Sequence, residues 1–231
     1  DGYLYTARTL GFTNGMTGPT RWSNMGSSHE LYNLGHLYEA AAAHYAVTGK
    51  KSLLAVATKS ADLLCKTFGP APGQLKGVPG HEEVEIGLCK LSRATGERRY
   101  LDLARFFIDM RGRTETAARP DAEQIQDHLP VTNQAEAVGH AVRAGYLYCG
   151  MADVAALTGD PSYIAAIDRL WANVVGKKLH LNGGIGARRM GEAFGAAYEL
   201  PNETAYLETC AAIANALWNE RMFLLHGDAK Y

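Results

Sequence analysis

The sequence is short of the features that would place it in several large classes. Its four cysteines, Cys65, Cys89, Cys149 and Cys210, are far apart, with no CxxC pair and no framework of a small disulfide-stapled domain. No run approaches the 18 or so consecutive apolar residues that a membrane-spanning helix needs. The formal net charge of −1 gives no one-signed field with which to grip nucleic acid or an anionic membrane surface. Low-complexity stretches and linker runs are missing, and strand-like alternation is confined to short pieces near 3–10 and 178–182. The opening DGYLYTARTLGF lacks the basic stretch and apolar core of a secretory leader and reads like mid-domain sequence. The expectation is a processed or partial chain working in a reducing, cytoplasmic compartment.

What is present is helix. Hydrophobic residues make up 47% of the 231 and charged residues 20%, enough to bury a sizeable core. One punctuation recurs: an apolar-periodic run ends at Gly49, Gly96, Gly159 or Gly227, and after the first three a second amphipathic run begins within a few residues. Glycine just past a helix end takes the left-handed cap without steric penalty. Such short links join antiparallel neighbours. The pattern predicts helices near 29–48, 51–67, 81–95, 98–112, 133–158, 161–177 and 203–225, with loops near 68–80, 113–130 and 178–201. Repeating hairpins build either an open solenoid or a closed toroid. Their unequal spacing, and long loops carrying His, Glu and Gly, favour a single-domain α/α toroid whose inner-helix ends surround a pocket.

Polar residues interrupt the pattern at the starts of alternate helices. His29 and Glu30 follow Ser27 and Ser28, good N-cap residues. His81, Glu82 and Glu83 follow a Pro-Gly turn, and Gln134, His140, Arg143 and Tyr146 punctuate a third run, with His140 and Arg143 spaced to share a helix face. Each histidine alone reads more readily as a cap or surface group; three at matching helix starts bring the functional reading level with it. Cys65, Cys89 and Cys149 sit among apolar residues as small core side chains. In the stretch 183–213, Glu192 lies in the Gly-flanked loop GEAFG, where desolvation would suit a general acid. Glu208 and Cys210 flank Thr209; at a loop-to-helix junction they fit two ligands of one zinc ion, and otherwise a buried thiol beside a solvated carboxylate.

The blocks HELYNLGHLYEAAAAHY, GHEEVEIGLCKL, QDHLPVTNQAEAVGHAVRAGYLYCGMADVA, GGIGARRMGEAFG and ELPNETAYLETCAAI, spread over nearly the whole chain, closely resemble the β-L-arabinofuranosidases of glycoside hydrolase family 127. The resemblance implies part of an (α/α)6-barrel catalytic domain, followed in the family by β-sandwich domains. It implies a retaining glycosidase that removes terminal β-L-arabinofuranosyl or related sugars from an oligosaccharide or glycoconjugate, through a zinc-bound cysteine nucleophile and a glutamate acid/base. Carried over by motif, Glu192 matches the acid/base, Glu208 and Cys210 match zinc ligands, and His29, His81 and His140 match sugar contacts. The family's nucleophile and last zinc ligand are adjacent cysteines downstream of the last residue here, so the expectation is half a metal site. The connection RTETAARP is shorter than the family's loop. A noncatalytic sugar-binding remnant, or another toroid enzyme such as an epimerase or glycuronyl hydrolase, is the alternative. Uncovered apolar flanks of an opened ring predict a homo-oligomer.

Overall fold

The structure is a computed structural model that describes residues 1–12 and 16–231. Its elements are α1 (Thr6–Thr9), α2 (Glu30–Thr48), α3 (Ser52–Thr67), α4 (Val84–Thr95), α5 (Arg98–Met110), α6 (Ala141–Thr158), α7 (Pro161–Lys177) and α8 (Thr209–His226), with four short 3-10 turns. Among the described residues there is no strand, only isolated bridges. The fold is the all-α, helix-hairpin class that the sequence predicts. No described helix is long and apolar enough to cross a membrane.

The chain forms two compact units, residues 1–110 and 111–231. In the first, α2 packs on α4, α3 backs α2, α5 backs α4, and α3 touches α5: two layers of two helices. In the second, α6 packs on α8 and is backed by α7. The four glycines marked as helix ends behave as expected, each following its helix with φ between 66° and 78°. The first core is built from Tyr38, Leu64, Val84, Leu88, Leu91, Tyr100 and Phe107, and the second from Leu147, Tyr148, Met151, Ile167, Leu170, Trp218 and Met222. Each such side chain, taken wholly from water, contributes about 1.5–3 kcal/mol. Cys89 and Cys149 are buried among them as small apolar groups, while Cys65 is only partly covered. Buried hydroxyls find partners between layers: Tyr38 Oη lies 2.9 Å from Ser60 Oγ, and Tyr100 donates to Asp62 at 2.7 Å.

The boundaries that shift are those around the predicted site. The expected helix from 133 begins only at Ala141, after a 3-10 turn at Val131–Asn133. Gly139 stops it: φ is +69°, and a Cβ there would stand 1.8 Å from the Glu123 carbonyl oxygen. The expected helix from 203 begins at Thr209, because the amides of Tyr206 and Leu207 are committed to Ala187 and Gly186. The helix expected from 81 begins at Val84. The β-like pieces resolve as the single turn α1 and as turns after α7. Ser28 does not cap α2; its hydroxyl donates to Glu30 at 2.9 Å, and His29 takes the cap position without a side-chain bond.

Candidate functional site

Three loop segments of the second unit converge on Glu192. The first ends at His140, which caps α6 through Nδ1, accepting from the Val142 amide at 3.2 Å. His140 is therefore off the helix and does not share a face with Arg143. Because Nδ1 accepts, the ring proton sits on Nε2, which lies 2.7 Å from Glu192 Oε2. Burial first, and Arg143 second, pull His140 below the usual imidazole value against the pull of Glu192, so the neutral ring is favoured.

The second segment carries Glu192 itself. Gly191 and Glu192 are both left-handed, at φ 71° and 51°, which folds the chain back so that Arg188 and Ala193 bond each other in both directions. A non-glycine residue held in this conformation is strained and is kept there by its surroundings. The restraints are visible. Phe194 N donates to Gly139 O, and Gln124 donates to Gly191 O at 2.7 Å. The buried Lys178 ammonium donates to Gly195 O, Ala137 O and Glu136. Arg188 grips Glu199 through two bonds of 2.8 and 2.6 Å.

The third segment leads into α8. Tyr206 Oη donates to Glu192 Oε1 at 3.0 Å, so both carboxylate oxygens are held. That bond, above all, pushes the Tyr206 phenol up. Glu208 is the cap of α8, and Cys210 lies just inside it. The Cys210 thiol donates to Glu208, and this bond is the main reason its pKa is raised.

One ligand atom from each of His140, Glu192 and Glu208 lies within 4.8 Å of the others, a group able to hold a metal ion. Glu208 Oε2 is buried with no hydrogen-bond partner. A carboxylate oxygen left in that condition beside a thiol fits a cation that takes oxygen and sulfur donors, as zinc does. Cys210, the other zinc ligand expected from the sequence, is outside this group of three.

His29 and His81 belong to the first unit, where they form a ring cluster with Tyr32. The His29 and His81 centroids are 5.7 Å apart, and Tyr32 is 4.2 Å from His81. His81 Nδ1 is 2.9 Å from the Glu82 carbonyl oxygen. Tyr32, Tyr206, Gln124 and Lys178 were not among the candidates read from sequence. Only Tyr206 carried a signal there, as a lone phenol four residues before Cys210 in an otherwise small-residue segment.

The model of the β-L-arabinofuranosidase GH127 catalytic domain matches residues 1–231. A non-reducing end β-L-arabinofuranosidase of Bifidobacterium longum subsp. longum is 39% identical over 248 residues, covering all of this chain and 38% of the relative. A solved GH127 β-arabinofuranosidase is 56% identical, with a TM-score of 0.95 over all of this chain and 36% of its own. A GH127 β-L-arabinofuranosidase from Geobacillus stearothermophilus T6 is 42% identical, with a TM-score of 0.92 over all of this chain and 38% of its own. The chain thus spans a little over a third of the length of these relatives. With its whole length matched, it belongs to the GH127 β-L-arabinofuranosidase catalytic-domain family.

Proposed function

We propose that this chain is the part of a retaining glycosidase that supplies the proton-transfer residue and half of a zinc site, acting on terminal β-L-arabinofuranosyl or closely related sugars. The observation that carries the reading is the doubly held Glu192, set within 4.8 Å of His140 and Glu208.

Retention needs a nucleophile on one face of the anomeric carbon and an acid/base on the other. Glu192 is the acid/base. In the first step its carboxyl gives a proton to the departing glycosidic oxygen, and in the second its carboxylate takes one from the attacking water. His140 Nε2–H and Tyr206 Oη–H fix the plane of the carboxyl. Tyr206 can reverse from donor to acceptor when the carboxyl is protonated, so the group stays in place through both steps. Sugar contacts are proposed for His140 in the second unit and, on the family motif, for His29 and His81 in the first, where their rings cluster with Tyr32. Glu208 and Cys210 would hold zinc. When bound, it keeps cysteine sulfur as thiolate at neutral pH. None of Cys65, Cys89 and Cys149 is proposed as the nucleophile.

The test is hydrolysis of a nitrophenyl β-L-arabinofuranoside by the full-length protein. Glu192→Gln should lower kcat by about 10²- to 10⁴-fold, the usual worth of a positioned proton donor. Near wild-type turnover would overturn the assignment.

A further inference from the structure

The first unit holds a second convergence of imidazole and carboxylate that the proposed reaction does not use. His36 and Glu39 lie one turn apart on α2, and Glu83 is the cap residue at which α4 begins. Glycine permits the approach. A Cβ on Gly35 would stand 2.6 Å from the Glu83 carbonyl carbon, and one on Gly87 would stand 2.6 Å from the Gly35 oxygen. With both helices in backbone contact, one ligand atom from each of His36, Glu39 and Glu83 lies within 4.8 Å of the other two.

The Glu83 side chain is 1% exposed, and neither of its oxygens accepts a hydrogen bond. His36 Nδ1 stands 3.2 Å from its Oε1. Glu39 pairs with Lys90 and also faces the Glu83 carboxyl. Two carboxylates brought this close, Glu83 buried and Glu39 partly so, repel unless a proton or positive charge sits between them, and Lys90 meets that need only in part, at Glu39. A shared proton would join the two carboxylates and leave His36 paired with Glu83, whereas a metal ion would use all three groups at once. Nitrogen and oxygen donors spaced one turn apart on one helix, with a carboxylate from its neighbour, are how helix-packed proteins build metal centres. Lys90 then acts as the outer partner that orients a ligating carboxylate.

We propose that His36, Glu39 and Glu83 form a site for a divalent first-row transition-metal ion that ties α2 to the start of α4. One nitrogen and two oxygen donors suit manganese, iron or zinc. The site stands apart from the Glu208–Cys210 pair in ligands and in role, so its failure would leave the glycosidase reading untouched.

Manganese is the probe of choice, because it prefers oxygen and nitrogen donors to thiolate. The full-length protein carrying Glu208→Gln, which disables the other cluster, is stripped with chelator and titrated with MnCl2. Binding is followed by loss of the free Mn²⁺ electron paramagnetic resonance signal. One ion should bind per chain. Adding Glu83→Gln or His36→Gln should weaken binding by at least about tenfold, since even outer-partner losses cost that much. Manganese should also raise the melting temperature of the parent and not of the Glu83→Gln protein. His36 is half-exposed, so its substitution keeps the test alive if Glu83→Gln fails to fold; Glu192→Gln replaces Glu208→Gln if that background fails. No binding at about 1 mM Mn²⁺ would overturn the proposal. So would binding indifferent to both substitutions, or a parent protein whose melting temperature manganese leaves unchanged, the signature of a shared proton.

Discussion

The two His/Glu clusters use the same side chains and are held by opposite means. His36, Glu39 and Glu83 sit on or at the end of long helices, and their geometry is set by the close crossing at Gly35 and Gly87. His140, Glu192 and Glu208 sit in loops and caps, and their geometry is set by hydrogen bonds donated by Gln124, Lys178 and Tyr206, and by the Phe194 amide to the Gly139 carbonyl. The first kind of site is as rigid as the core that carries it. The second can be adjusted one bond at a time, and it stores strain at Glu192 and Leu207, both left-handed without being glycine. Proton transfer wants that second arrangement, because small displacements of the carboxyl accompany each change of partner.

The comparison breaks most sharply at its glycines. Gly139→Ala meets two penalties: a positive φ of 69° and a Cβ 1.8 Å from a backbone oxygen that cannot swing away. It should cost more than about 3 kcal/mol in urea unfolding and abolish turnover even where the protein remains folded. Gly35→Ala has helical φ/ψ and meets only the close Glu83 backbone and side chain. Its cost should be about 1–3 kcal/mol, with kcat largely kept and KM raised, because the crossing carries His29 and His81, the proposed sugar contacts. Equal losses of turnover from the two substitutions would show that the clusters are not separately supported.

A smaller effect isolates one loop restraint. Gln124→Ala removes a single bond, to Gly191 O, at a partly exposed position. Stability should fall by about 0.5–1.5 kcal/mol. If that bond holds Glu192 in register, kcat should fall about tenfold while KM stays near its starting value. A fall in stability with unchanged kcat would mean that Lys178 and Phe194 suffice to position the loop.

The same contrast explains what could be read from the chain alone. Helix ends at Gly49, Gly96, Gly159 and Gly227 were legible because a single residue type satisfies the left-handed cap. Helix starts near the site were not. Residues 134–140 and 203–208 are apolar enough to mimic helix, yet their amides are spent on contacts from far along the chain, such as Tyr206 with Ala187. Periodicity carries no information about such distant partners. Glu192, His140 and Glu208 were identifiable through motif resemblance, and the chain brings these three together. Lys178 and Gln124 looked like ordinary surface residues, because nothing in a sequence marks a side chain whose partners are backbone carbonyls. The His36–Glu39 spacing was present in HLYE, but Glu83 reaches it only because glycine faces glycine across α2 and α4.

The weakest restraint on the Glu192 loop is the Arg188–Glu199 pair, and its weakness makes it informative. Arg188 chiefly, and then the Ala196 amide, hold the Glu199 carboxyl down at about 2, well below the ordinary glutamate value. A depressed carboxylate contributes stability that is complete above the unfolded value and is lost as pH falls toward the folded one. The difference in urea midpoint between wild type and Glu199→Gln should therefore be constant above about pH 5, shrink between 4.5 and 2, and vanish below. Because the pair is solvent-exposed, salt should shrink the same difference at neutral pH. A Glu199 effect that ignored both acid and salt would assign its role to packing against Gly195 instead of to charge, and the loop would then be built more like the helices than the hydrogen bonds suggest.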